Sequence, residues 1–178
     1  MIHYKFFDDA DNDGKDAVFG ADIPLMKLVD VLRSAALGYG TEKRVILLHG
    51  PVGSAKSTIC RLIKKGIEEY SKTDSGAMYT FDWVDPDGQN EEIFGKGVKV
   101  FPSPMHEEPL LLVPEEMRGK LVEELNRGNK SDFRINVQGE LCPPSRFIFS
   151  KLLEKYNGDV SKVFDHVRVR RLVLSEAD

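Results

Sequence analysis

The chain has 178 residues, 41% of them hydrophobic and 30% charged, with a formal net charge of −4. That length suits about one domain with its own core, and the acidic balance argues against the chain as a whole being a nucleic-acid surface. No stretch approaches the ~18 apolar residues of a membrane helix. The aromatic-then-acidic N-terminus lacks the basic-then-apolar order of a secretory signal, and the two cysteines, Cys60 and Cys142, have no metal or redox spacing, so a reduced, cytoplasmic setting is expected.

In chain order, residues 1–17 form an acidic, turn-rich opening. The spacing of Leu25, Leu28, Val29, Leu32 and Ala36 predicts a helix over 23–37, with Pro24 in its first turn and Gly38 and Gly40 after its end. Val45-Ile46-Leu47-Leu48 is an apolar run without polar alternation, the pattern of a strand buried on both faces of a parallel sheet. Ile59, Leu62, Ile63, Ile67 and Tyr70 then repeat at helical spacing over Ser57–Tyr70. Met78–Val84 reads as a second strand, so the expected unit is βαβ with a right-handed crossover. Residues 85–109 hold Pro86, Pro102, Pro104 and Pro109, four of the nine prolines, and read as a long loop. Helices are expected at Glu115–Arg127, Pro143–Tyr156 and Val160–His166, and a strand at Val167–Leu174. The predicted fold is α/β, a three-layer P-loop arrangement with a parallel sheet core and a loop-rich and helical insertion over 85–160.

The chemistry is concentrated in Gly50-Pro51-Val52-Gly53-Ser54-Ala55-Lys56-Ser57-Thr58. The pattern G-x-x-x-x-G-K-[S/T] is matched at Gly50, Lys56 and Ser57, with Ala55 in place of the last glycine. Gly50 and Gly53 let the backbone turn tightly and bring N–H groups toward phosphates. The helix that follows points its positive end at the same anion. Lys56 is expected to reach the β- and γ-phosphates and the Ser57 hydroxyl to ligate Mg²⁺, so the stretch reads as a site for ATP or another nucleoside triphosphate with Mg²⁺. Ala55 is expected to adopt an ordinary negative φ at the helix entrance. Hydrolysis usually needs a further acidic site beside the loop. Pro114 interrupts Leu110-Leu111-Leu112-Val113 before Glu115 and Glu116, and Glu176 after Leu172-Val173-Leu174 is off by one, so both read as structural.

Other signals are weaker. Asp9-Ala10-Asp11-Asn12-Asp13-Gly14 copies half of a calcium loop, but its twelfth position is Gly20 where a glutamate is required, so a solvated acidic turn is the better reading. His106-Glu107-Glu108 lacks a second histidine at helical spacing, and His3, His49 and His166 form no cluster. Cys142-Pro143-Pro144 reads as a buried thiol at a turn. Arg168, Arg170 and Arg171 read as the solvated face of a strand.

Val18-Phe19-Gly20, the helix after it and the P-loop follow the order of an AAA+ ATPase module, and the Ala-Lys-Ser form of the loop resembles that of MoxR-type ATPases and MCM helicases. Five longer strings resemble the PrkA family of bacterial serine protein kinases with an AAA+ domain. They are Lys43–Thr58, Tyr79–Trp83, Ser103–Leu110 (Ser-Pro-Met-His-Glu-Glu-Pro-Leu), Gly139–Pro143 and Val167–Glu176 (Val-Arg-Val-Arg-Arg-Leu-Val-Leu-Ser-Glu). The resemblance implies that Phe19 and Gly20 lie against the adenine, that family members are several times longer, and that the acidic Mg²⁺ site, the arginine finger and the kinase region follow residue 178. It also implies a homo-oligomer, commonly a ring, acting on a protein substrate that the sequence does not specify. A MoxR-like chaperone ATPase, or a nucleotide-binding assembly module without turnover, are the alternative readings. No eukaryotic-type kinase signature is present in this stretch.

Overall fold

The computed structural model describes residues 3–129 and 134–175. The chain divides into two compact units, Met1–Ser75 with Leu174–Asp178, and Gly76–Val173.

The first unit is built on two helices, α1 (Asp22–Ala36) and α2 (Lys56–Lys72), with short 3-10 turns at Lys5–Asp8, Ala10–Asn12 and Thr41–Lys43. Helical periodicity does here what it predicts: Leu25 and Leu28 of α1 and Ile59 and Leu62 of α2 are buried together with Phe7 and Val18. Burying each such side chain stabilises by about 1.5–3 kcal/mol. The acidic opening is not loosely solvated. The Asp9 carboxylate accepts from Asn12 Nδ2 at 3.1 Å and from the Asp16 amide at 3.0 Å, and lies 3.6 Å from Lys65 Nζ. Its oxygens are committed within the turn and to an α2 lysine. Among the described residues no group of three or more His, Cys, Asp or Glu converges on a metal position.

The Val45–Leu48 run forms no strand, and Val45 and Leu47 are 96% and 83% exposed. The expected βαβ unit with its right-handed crossover is therefore not formed by the described residues. The strands of the described residues lie in the second unit, where β1 (Met78–Val84) is the central strand of a sheet ordered β2-β1-β3, with β2 at Val100–Pro102 and β3 at Val167–Leu172. Both edges of β1 are occupied by β2 and β3, and among the described residues no strand pairs with Val45–Leu48. Both pairings are antiparallel, with Trp83 opposite Phe101 on one side and opposite Val167 on the other. The expected parallel core is thus replaced, among the described residues, by a three-stranded antiparallel sheet.

Four helices complete the second unit: α3 (Glu91–Phe94), α4 (Glu115–Gly128), α5 (Pro143–Lys155) and α6 (Val160–Phe164). The expected long loop over 85–109 therefore contains α3 and β2. Phe81 and Trp83 alternate onto one face of β1 and are fully buried with Leu152 and Val163. The opposite face carries Asp82, whose carboxylate is clasped by Arg168 Nη2 and Arg170 Nε, each at 2.9 Å. Two of the three β3 arginines are thus held by a buried acid. Arg118 of α4 donates to the carbonyls of Leu111, Val113 and Gly139, and Asn126 exchanges two hydrogen bonds with the Ile135 backbone. These contacts tie the extended residues 134–139 to α4. His166 lies between the Val84 carbonyl and the Tyr156 hydroxyl, 2.8 Å from each. A carbonyl only accepts, so Nδ1 donates to Val84. The stretch from Leu110 into Glu115 is a 3-10 turn (Pro109–Leu112) followed by the start of α4, which carries Glu115 and Glu116 in its first turn. Glu176 lies outside the described residues.

Candidate functional site

Two elements of the first unit build the candidate site: residues 48–58, which lead into α2, and residues 16–20, which run toward α1. Leu48 and Ala55 pack against the same core as Val18 and Ile59, so the loop is anchored at both ends. Between those anchors the backbone projects outward, and Pro51, Val52, Gly53 and Ser54 are exposed. An Asp16–Arg61 ion pair, with Arg61 Nε 3.1 Å from Asp16 Oδ2, joins the 16–20 segment to α2. Partly exposed pairs of this kind contribute about 1 kcal/mol or less, so the buried Val18 is the stronger tether. The Val18 amide donates to the Phe7 carbonyl at 2.9 Å. Beyond it Phe19 stands 85% exposed, and Gly20 turns the chain at φ +69°.

The loop is closed by Lys56. Its ammonium donates to the Gly50 carbonyl at 2.8 Å, the Pro51 carbonyl at 2.6 Å and Ser54 Oγ at 3.0 Å. Ser54 Oγ in turn donates to the Pro51 carbonyl at 2.8 Å. A Cβ at Gly50 would lie 2.8 Å from Ser54 Oγ, so a side chain there would displace that hydroxyl. Gly53 has φ +82°. Gly53 thus uses the left-handed freedom of glycine, and Gly50 leaves room for the Ser54 hydroxyl.

Ala55 departs from expectation. It has φ +55° and ψ +16°, left-handed, where a negative φ is the reading of the sequence. The turn that delivers Lys56 into the first turn of α2 needs this conformation, and the pattern supplies glycine at the same position for that reason. An L-residue costs roughly 1–2 kcal/mol there. The departure from the glycine pattern is thus a local strain at the loop.

α2 begins at Lys56 and runs for 17 residues. The first N–H groups of a helix have no intrahelical acceptor, and they carry the positive end of its dipole. Ser57 is exposed and Thr58 half-buried on that first turn. A cation, two glycines, helix amides and an exposed hydroxyl lie within nine residues of sequence, and this donor set fits a polyphosphate with its metal ion.

The PrkA AAA domain family model matches residues 3–178. The chain belongs to the PrkA AAA domain family. The match spans Gly50–Thr58 as well as the Met-His-Glu-Glu-Pro and Arg-Val-Arg-Arg strings, and an AAA domain implies nucleotide binding in general. A relative named ATP-dependent protease PrkA, from Bacillus subtilis (strain 168), is 32% identical over 174 residues, which is 97% of this chain and 21% of that protein. The chain therefore spans about a fifth of the length of the curated PrkA relative it matches. No solved structure matches the chain significantly. Among the described residues no helix is long and apolar enough to cross a membrane.

Sequence reasoning missed one constellation in the PrkA-specific strings. Glu107 is buried and its Oε2 accepts from Ser103 Oγ at 2.7 Å, Ser145 Oγ at 2.5 Å and Cys142 Sγ at 3.2 Å, while Oε1 accepts from the Cys142 amide at 2.5 Å. Cys142 precedes α5, so a carboxylate caps that helix from a distant segment, where it also favours the helix dipole. Cys142 is therefore half-buried and hydrogen-bonded rather than a plain buried thiol. Burial pushes the Glu107 carboxyl up, but the hydrogen bonds from Ser145, Cys142 and Ser103 outweigh it and hold it below its ordinary value. His106, beside it, is left-handed at φ +49°, a local strain that accompanies this placement.

Proposed function

We propose that this chain is the MgATP-binding portion of a PrkA-type AAA+ protein. The observation that carries the reading is Lys56, held at the mouth of a glycine loop by the Gly50 and Pro51 carbonyls on the first turn of α2. Lys56 neutralises β- and γ-phosphate charge, the backbone N–H groups of Gly53–Ser57 cradle the phosphates, and Ser57 ligates Mg²⁺. The bound metal ion would supply charge neutralisation across the phosphate oxygens. Phe19 and Gly20 cover the adenine; the exposed ring of Phe19, tethered to the same core through Val18, supports that role.

The work done with ATP belongs to a longer protein, acting in the cytoplasm on a protein substrate and as a homo-oligomer. The 21% share of the Bacillus subtilis relative that the chain matches supports a longer protein, and the exposed apolar run Val45–Leu47 supports a surface for further contacts. Two couplings fit such a protein. Serine phosphorylation is what the family resemblance implies, whereas the name of the Bacillus subtilis relative favours ATP-dependent proteolysis.

The test is calorimetric titration of Mg²⁺-ATP into the purified chain and into Lys56→Ala, with phosphate release followed on the same samples. Binding that Lys56→Ala abolishes is the expected result. Equal binding by both proteins would remove the P-loop from the site.

A further inference from the structure

We infer that the Ser54 hydroxyl is a positioning residue that holds the phosphate-facing proton of Lys56 and yields it to the incoming nucleotide, thereby setting nucleotide affinity. The inference rests on the proposed MgATP site and concerns how that site is tuned.

An ammonium group has three N–H donors. All three of Lys56 are committed, to the carbonyls of Gly50 and Pro51 and to Ser54 Oγ. A phosphate oxygen can pair with Lys56 only by taking over one of these contacts. The two carbonyls belong to the backbone that forms the loop, and their contacts of 2.8 and 2.6 Å span its entrance. Ser54 makes the longest contact, 3.0 Å, through a neutral hydroxyl on an exposed side chain. Exchange is therefore cheapest at Ser54, where a charge-assisted bond to phosphate replaces a weaker one.

The same hydroxyl is fixed in place. It donates to the Pro51 carbonyl at 2.8 Å and rests against Gly50, where a Cβ would come within 2.8 Å of it. Gly50 thus leaves space for Ser54 Oγ beside the lysine, besides allowing the turn. On arrival of a phosphate the hydroxyl keeps its bond to Pro51 and gives up only the one from Lys56.

Removing the hydroxyl removes the competitor. Ser54→Ala should bind Mg²⁺-ATP about threefold to tenfold more tightly than the unaltered chain, the range set by one net hydrogen bond. Inorganic tripolyphosphate should show the same gain and AMP none, because the contact exchanged is to the outer phosphates. Ser54→Thr keeps the hydroxyl and should bind as the unaltered chain does. All proteins would be titrated by calorimetry after circular dichroism shows unchanged helix content.

If Ser54 merely braces the turn through Pro51, Ser54→Ala binds equally or more weakly, and the inference is overturned while the MgATP reading stands. If the unaltered chain and Lys56→Ala bind alike, the MgATP reading fails and this inference fails with it. Should Ser54→Ala lose helix content, Ser54→Thr against Ser54→Cys decides instead. A thiol is the weaker acceptor, so Ser54→Cys must give the tighter binding of the two.

Discussion

Glu107 and Ser145 meet at 2.5 Å across 38 residues of sequence, and the fully buried Ser145 hydroxyl is also 3.4 Å from the indole N–H of Trp83. This contact joins the Met-His-Glu-Glu-Pro string to the start of α5 beneath the central strand. Replacing Glu107 with alanine would strand the hydroxyls of Ser103 and Ser145 and the Cys142 amide in a buried place. We expect Glu107→Ala to lower the stability of the second unit by about 3 kcal/mol. Trp83 is the single tryptophan and lies in the same unit, so its fluorescence in a urea titration reads this unit directly. A loss below about 1 kcal/mol would mean the cluster is solvated in solution.

The acid limb of stability follows from the same group and from Asp82. Burial pushes the Asp82 carboxyl up, but Arg170 and Arg168 outweigh it and hold it below the ordinary 3.8; Glu107 is likewise held below the ordinary 4.5. A carboxyl depressed in the folded state contributes stability that is present above its unfolded value and lost as pH falls through the folded one. The second unit should therefore lose stability on acidification below about pH 4.5, continuing past 3.8. In Glu107→Gln one of these groups no longer titrates, so the stability gap to the unaltered chain should narrow as pH falls from 7 to 3. A constant gap in urea midpoints across that range would show that Glu107 does not titrate with unfolding.

His3 gives a dependence of the opposite sign in the first unit. The hydrogen bond to Asp8 and its charge raise the His3 value above 6.5, with Asp22 adding to the effect. The contribution is full below the unfolded value and lost as pH rises through the folded one. The pair is exposed, so the effect is small. Proton NMR of the His3 ring should show a midpoint above 6.5 that Asp8→Asn lowers. A midpoint unmoved by Asp8→Asn would show that the two do not interact in solution.

Local pattern made much of the molecule legible before its structure. The apolar spacing of Ile59, Leu62 and Ile63 placed α2 to within two residues at either end, and Gly50, Lys56 and Ser57 marked the loop. What escaped was non-local. Nothing around Met78 says that its strand pairs antiparallel with Leu172, because register depends on side chains meeting from distant segments. The apolar run at Val45–Leu48 has the composition of a buried strand, but composition does not supply a partner edge. Glu107 stands between His106 and Glu108, and a row of polar residues reads as solvated whichever one turns inward. Ala55 misled because its φ is set by the turn rather than by its own preference.

Ala55 also offers a test of that strain. Glycine populates positive φ at no steric cost, so Ala55→Gly should stabilise the first unit by about 1 kcal/mol despite the greater freedom of glycine in the unfolded chain. Thermal unfolding followed at the helical circular dichroism band measures it. An equal or lower midpoint for Ala55→Gly would show that Ala55 is unstrained in solution.

Phe19 separates the base end of the proposed site from its phosphate end. Its ring is 85% exposed and contributes little to the core, so Phe19→Ala should leave thermal stability nearly unchanged. If the ring covers the adenine, the loss of an aromatic contact should weaken ATP binding by about threefold to tenfold. Inorganic tripolyphosphate has no base, and its affinity should not change. Calorimetry with both ligands on the same protein reads the two ends independently. Equal weakening of both would place Phe19 in support of the loop, and no weakening of either would remove it from the site.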